Sequence, residues 1–124
     1  MQNPMTRTLL IVDDHASFRS FAKAMLEAEG FEVTGEAADG ESALEEVARL
    51  HPDVVLLDVQ LGEGIDGFEV AQRLATEPEA PMVVLTSSRE ASDYGSRLKD
   101  SPANGFIPKR DLSGDALERI ADPD

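Results

Sequence analysis

The sequence has no cysteine and no tryptophan, a single tyrosine and only two histidines. Without cysteine there is no disulfide scaffold, no Cys-ligated zinc, no iron–sulfur cluster and no thiol nucleophile, which agrees with a reducing compartment. Two histidines offer little for a His-rich metal site. No stretch approaches the ~20 apolar residues that a membrane-spanning helix needs. The apolar run 9–12 is too short for the core of a signal peptide and leads straight into Asp13 and Asp14. A cytoplasmic protein with no membrane partner is therefore expected. Basic residues are also scarce, 11 Lys and Arg against 25 Asp and Glu, for a net charge of −14. Such a surface repels nucleic acids and anionic lipid, so direct nucleic-acid binding is not expected. It favours basic protein surfaces and divalent cations, or serves solubility alone.

What is present is an ordinary globular balance, 41% hydrophobic and 29% charged, in a chain of 124 residues. That length makes one domain, read here as 1–124 with a core over about 8–120. Apolar runs of strand length recur along it: Leu9-Leu10-Ile11-Val12, Val54-Val55-Leu56-Leu57, Met82-Val83-Val84-Leu85 and the shorter Phe106-Ile107. The first three are continuous, which predicts strands buried on both faces. Residues 31–37 alternate instead, Phe31, Val33 and Gly35 against Glu32, Thr34 and Glu36, as an edge strand with one wet face does.

Helical patterns lie between the runs. Phe18, Phe21, Ala22, Met25 and Leu26 share one face of a helix that starts near Ala16 or Ser17 and is stopped by Gly30. Asp39 is placed to cap a second helix with Ala43, Leu44, Val47 and Ala48 inward, ended by His51-Pro52. Asp66 caps a third, with Phe68, Val70, Ala71 and Leu74 inward, stopped before Pro78. A fourth, over 92–99, has only Tyr94 and Leu98 to anchor it and is expected to be mobile. Leu112, Ala116, Leu117 and Ile120 predict a short last helix, with 121–124 a frayed end or the start of a linker. This βα alternation, five times over, predicts an α/β fold: a parallel five-stranded sheet with helices on both faces.

In an open parallel sheet, ligands bind beyond the carboxyl ends of the strands. Asp13 and Asp14 follow the first run, Asp58 the run 54–57, Thr86, Ser87 and Ser88 the run 82–85, and Lys109 follows Phe106-Ile107-Pro108. Three acids, a hydroxyl and an amine thus converge on one edge. Crowded carboxylates repel one another unless a cation sits among them, and all-oxygen ligands suit Mg2+. A lysine and a hydroxyl beside them match the needs of a phosphoryl group, where catalysis is positioning and charge neutralisation. A carboxylate can itself be the nucleophile. Other residues read more plainly: Asp53 as a turn former at the opposite edge, Asp66 as a helix cap, His15 as an exposed loop histidine. Gly62, Gly64 and Gly67 do not form a nucleotide phosphate loop, because no Gly-Lys-Ser/Thr follows them.

With Leu10-Ile11-Val12-Asp13-Asp14, Val55-Leu56-Leu57-Asp58-Val59, Asp66-Gly67, Val84-Leu85-Thr86-Ser87-Ser88 and Gly105-Phe106-Ile107-Pro108-Lys109 in this order, the chain resembles the receiver domain of two-component response regulators. The resemblance implies a doubly wound, flavodoxin-like (βα)5 fold with strand order 2-1-3-4-5. It implies that Asp58 accepts a phosphoryl group from a sensor histidine kinase or phosphotransfer protein. Asp13, Asp14, Asp58 and the backbone carbonyl of Gln60 would hold Mg2+, Asp13 mainly through water. Thr86 and Lys109 would bind the phosphoryl group, and Phe106 stands at the aromatic switch position, without the hydroxyl of a tyrosine. Gln60 and Ser88 occupy positions that tune dephosphorylation in the family. The loop 61–67 departs from the family in lacking a proline and being one residue longer, and is expected to be loose.

On this reading the chain is not an enzyme beyond its own phosphorylation and dephosphorylation. It signals to a downstream protein or an output domain, with a homodimer through the fourth-helix face as a further expectation. Three rivals remain open: a small aspartyl-phosphate phosphohydrolase, for which Gln60 stands where a second acid is needed; a docking module that works without phosphorylation; and a flavin-binding electron carrier, against which stand the missing phosphate loop after the first strand and the scarcity of aromatics.

Overall fold

The continuous apolar runs become the inner strands of one parallel sheet, and the period of two along a strand sorts each run onto two opposite faces. The computed structural model describes residues 6–122. Its elements are β1 (Thr8–Val12), α1 (Ala16–Ala28), β2 (Glu32–Ala37), α2 (Gly40–Leu50), β3 (Val54–Asp58), α3 (Gly67–Ala75), β4 (Met82–Ser87), α4 (Ser96–Lys99), β5 (Gly105–Pro108) and α5 (Gly114–Ala121). All strand pairs are parallel, in the order β2-β1-β3-β4-β5. The expected fold and strand order are the observed ones.

Leu10, Val12, Val55, Leu57, Val83 and Leu85 face α2 and α3, whereas Leu9, Ile11, Val54, Leu56 and Val84 face α1 and α5. Residues 9–12 are wholly buried, as a strand covered on both faces should be. β2 is an edge strand, with Glu32 and Glu36 exposed, Val33, Thr34 and Gly35 half-buried between them and Ala37 buried at its end. It carries one extra residue against β1: Leu9 pairs with Val33 and Leu10 with Gly35, and the Thr34 between them turns its hydroxyl to the Leu9 carbonyl. Asp53 accepts from both the amide and the hydroxyl of Thr8, which ties the starts of β1 and β3 together at the edge away from the acids.

The caps at Asp39 and Asp66 are where the sequence places them, and the structure adds one at Ser113. Asp39 accepts from the Ser42 amide (2.8 Å), Asp66 from the Glu69 amide (2.9 Å) and Ser113 from the Ala116 amide (3.0 Å). Three expectations need correction. Phe21 is not on the buried face of α1 but 59% exposed, because only Ala22 and Leu26 of that helix are fully buried. Leu112 is buried but precedes the last helix, which starts after its Ser113 cap. The fourth helix is broken: a 3-10 turn, Ala91–Asp93, is separated from α4 by Gly95, whose φ of 56° lies in the left-handed region. Of the expected frayed end, Ala121 closes α5 and Pro123 and Asp124 lie outside the described residues, as do residues 1–5.

Candidate functional site

Asp13, the residue after β1, is fully buried. Its amide donates to the Ala37 carbonyl (3.0 Å), and its carbonyl accepts from Arg19 (2.6 Å), which also pairs with Glu36 (3.0 Å). The strand end is thereby clamped between β2 and α1. Of its carboxylate oxygens, Oδ1 accepts from the His15 amide (2.8 Å). Oδ2 is buried outside any hydrogen bond of normal geometry and has the Lys109 ammonium 2.6 Å away as an ion pair.

Asp58 closes β3 and is 4% exposed. Its Oδ1 accepts from the Gln60 amide (3.2 Å), and its Oδ2 lies 3.4 Å from Lys109 Nζ. Burial pushes its pKa up to about 6, the Asp13 carboxylate adds to the rise, and Lys109 and the Gln60 amide oppose it. For Lys109, burial works against the charged form, but the two carboxylates outweigh it and hold the ammonium above its ordinary pKa. One cation thus bridges two acids.

Asp14 is more open, and its Oδ1 lies 3.0 Å from His15 Nδ1, a ring that also lies 3.2 Å from Asp13 Oδ1. Ligand atoms of Asp13, Asp14, His15 and Asp58 all fall within 4.8 Å of one another. Three carboxylates, one with a buried oxygen lacking a hydrogen bond, form a donor set that fits a hard divalent cation. His15 is exposed, as expected, but its ring belongs to the cluster. That placement depends on a backbone turn that brings the His15 amide back onto Asp13, which residue types alone do not reveal.

Thr86 pairs with Asp58 in the β3–β4 register and is fully buried. Its hydroxyl donates to the Ile107 carbonyl of β5 (2.6 Å). It can therefore reach an anion on Asp58 only by giving up that bond. Phe106 meets Tyr94 edge to face (centroids 6.2 Å apart), and Tyr94 meets Phe68 in the same way (5.6 Å). The Tyr94 hydroxyl shares a 2.5 Å hydrogen bond with Ser87. The Arg97 guanidinium of α4 lies over the Phe68 ring (4.4 Å to its centroid) and pairs with the cap residue Asp66 (2.9 Å). This aromatic chain, from β5 through Tyr94 to α3, joins residues that the sequence places only singly, Phe106 as a switch, Tyr94 as an anchor and Phe68 on an inner helix face.

The loop 61–67 is packed at its two ends and exposed over residues 62–64. Leu61 is buried, and the Ile65 side chain packs directly on Gly40. Gly67 donates to the Val59 carbonyl (2.8 Å), and any Cβ there would strike the Asp58 carbonyl oxygen. A separate groove of about 720 Å3, between α2 and α3, is lined by Leu44, Val47, Leu74 and Pro78 and shares no residue with the acidic site.

The sequence profile of the response regulator receiver domain matches residues 9–121. The transcriptional regulatory protein PdtaR of Mycobacterium tuberculosis is 39% identical over 115 residues, which cover 92% of this chain and 55% of that protein. The protein-glutamate methylesterase/protein-glutamine glutaminase of Alkalilimnicola ehrlichii is 39% identical over 119 residues, 90% of this chain and 29% of that protein. The signal receiver domain of NarL from M. tuberculosis has the same fold, with a TM-score of 0.83 at 28% identity over 96% of this chain and 99% of that one. The chain therefore spans about half or less of the curated relatives it matches.

Proposed function

The chain belongs to the response regulator receiver family, and from that premise we propose that Asp58 takes a phosphoryl group from the phosphohistidine of a sensor kinase or phosphotransfer protein. The observation that carries this reading is the buried Asp58 carboxylate sharing the Lys109 ammonium with Asp13. Asp13, Asp14, Asp58 and the Gln60 carbonyl would hold Mg2+, which when bound neutralises carboxylate and phosphoryl oxygens together.

The chain's own residues do the rest. Asp58, with a pKa near 6, is ionised at neutral pH and supplies the attacking oxygen. A P–O bond forms as the P–N bond of the donor breaks, and the departing imidazole nitrogen keeps the electron pair and takes up a proton. Lys109 exchanges its carboxylate contact for a phosphoryl oxygen. Thr86 leaves the Ile107 carbonyl and donates to another. That exchange loosens the β4–β5 edge where Phe106 packs on Tyr94, so the surface around α4 changes with the state of Asp58.

On this reading the receiver works in the cytoplasm as a single domain over 1–124. It does not turn over a substrate beyond its own phosphoryl group, and it passes the signal to a downstream protein or an output domain, with a homodimer through the α4 face as one possible carrier. No helix among the described residues is long and apolar enough to cross a membrane. The test is intact mass after incubation with acetyl phosphate and Mg2+. Wild type gains one phosphoryl group and Asp58→Asn gains none. Equal uptake by Asp58→Asn would overturn the assignment.

A further inference from the structure

The Lys109 ammonium has a third neighbour besides its two carboxylates: the ring of Phe18, whose centroid lies 4.3 Å from Nζ. We propose that Phe18 is a positioning residue for Lys109, its ring face holding the ammonium between Asp13 and Asp58 where a phosphoryl oxygen can reach it. The proposal deepens the phosphoacceptor reading and rests on it.

The distance is well inside the ~6 Å at which a cation is drawn to the face of an aromatic ring. The ring is itself held. Phe18 lies in the first turn of α1, packs against the core cluster that contains Ala22 and Leu26, and meets the Phe21 ring at 6.4 Å. Lys109 lies in a single 3-10 turn after β5, and its four-carbon stem has many rotamers to lose. Charge alone would settle it on Asp13, which it approaches to 2.6 Å against 3.4 Å for Asp58. A neutral, rigid face on the remaining side keeps the ammonium from swinging out to water. It also makes no demand for a hydrogen bond, so the lysine stays free to exchange a carboxylate oxygen for a phosphoryl oxygen. The side chain of Lys109 is 18% exposed, as expected for an ammonium enclosed in this way.

Phe18→Leu keeps the apolar bulk and removes the ring, whereas Phe18→Tyr keeps the ring. Two readouts separate positioning from packing. The first is the proton shift of the Lys109 ε-methylene in the metal-free protein, which a ring face moves upfield. The second is the initial rate of phosphorylation by acetyl phosphate with Mg2+. We expect the upfield shift in wild type and Phe18→Tyr and its loss in Phe18→Leu. The rate should fall about 3- to 10-fold in Phe18→Leu, the size of a partly desolvated cation–ring contact, and stay within about twofold of wild type in Phe18→Tyr. Thermal midpoints identify a variant that fails to fold, in which case Phe18→Met replaces Phe18→Leu. A wild-type rate in the ring-free variant, or an equal loss in Phe18→Tyr, overturns the proposal. If wild type itself takes up no phosphoryl group, the phosphoacceptor reading fails and the role of Phe18 falls with it, whereas a ring-dependent shift would still report the contact.

Discussion

Asp13 and Asp58 are two buried acids that share one ammonium, and this arrangement costs stability whenever both are ionised. Burial raises the Asp58 pKa in the folded chain from 3.8 to about 6. Between those two values the folded state binds more protons at Asp58 than the unfolded state does, so this residue makes stability fall as pH rises through that window and level off above it. Asp39 and Glu90, whose carboxyls are held below their ordinary range by hydrogen bonds to Ser42 and Arg110, act in the opposite sense. The contribution of Asp58 is therefore read as a difference between variants. In EDTA, Asp58→Asn is expected to be more stable than wild type at about pH 7.5, by about 1 to 3 kcal/mol, and the gap to narrow toward about pH 4.5. Urea denaturation of both proteins across that range checks it. A gap independent of pH would mean that the Asp58 carboxyl is solvated in the folded state.

At the scale of elements, the site depends on how closely α3 approaches the end of β3. The first residue of α3 is Gly67, and a Cβ there would fall on the Asp58 carbonyl oxygen and 2.8 Å from Val59 Cα, both of them backbone atoms. Gly67→Ala should therefore push α3 off β3, at a cost of about 2 kcal/mol or more, and slow phosphorylation by displacing Asp58. Urea midpoints together with the acetyl phosphate rate test this; an unchanged midpoint would show that the helix start can yield freely. Such close approaches explain what the sequence made legible and what it did not. Strand runs, caps at Asp39 and Asp66, and the gathering of Asp13, Asp58, Thr86 and Lys109 at one edge all follow from local pattern plus the topology it implies. Phe21 matches the helical spacing yet points outward, because α1 buries a narrow Ala22–Leu26 stripe and spacing does not reveal its width. The break at Gly95 depends on a left-handed backbone angle, and glycine only permits that angle. The contacts of Phe18 with Lys109 and of Phe106 with Tyr94 join residues distant in the chain, and no periodicity reports them.

Across the whole molecule the balance of charge is set by what remains after pairing. Arg7, Arg19, Arg49, Arg73, Arg97 and Arg110 each already hold an acidic partner, and Lys109 holds two. The net charge of −14 therefore falls on acidic groups with few cations left to offset them. Exposed ion pairs contribute little each, and repulsion among many like charges acts over roughly 10 Å at moderate salt. Repulsion should win, so the thermal midpoint should rise when NaCl goes from about 20 mM to about 200 mM. A fall would mean that the arginine pairs outweigh the excess acid. The same experiment separates screening from site binding. MgCl2 at matched ionic strength should raise the midpoint further in wild type, because a cation that binds only the folded site stabilises it by mass action. In Asp13→Asn, which lacks the buried acid at the centre of the cluster, that extra rise should shrink to what screening alone provides. If the extra rise persists undiminished in Asp13→Asn, the cation is binding the diffuse acidic surface and not the cluster at the ends of β1 and β3.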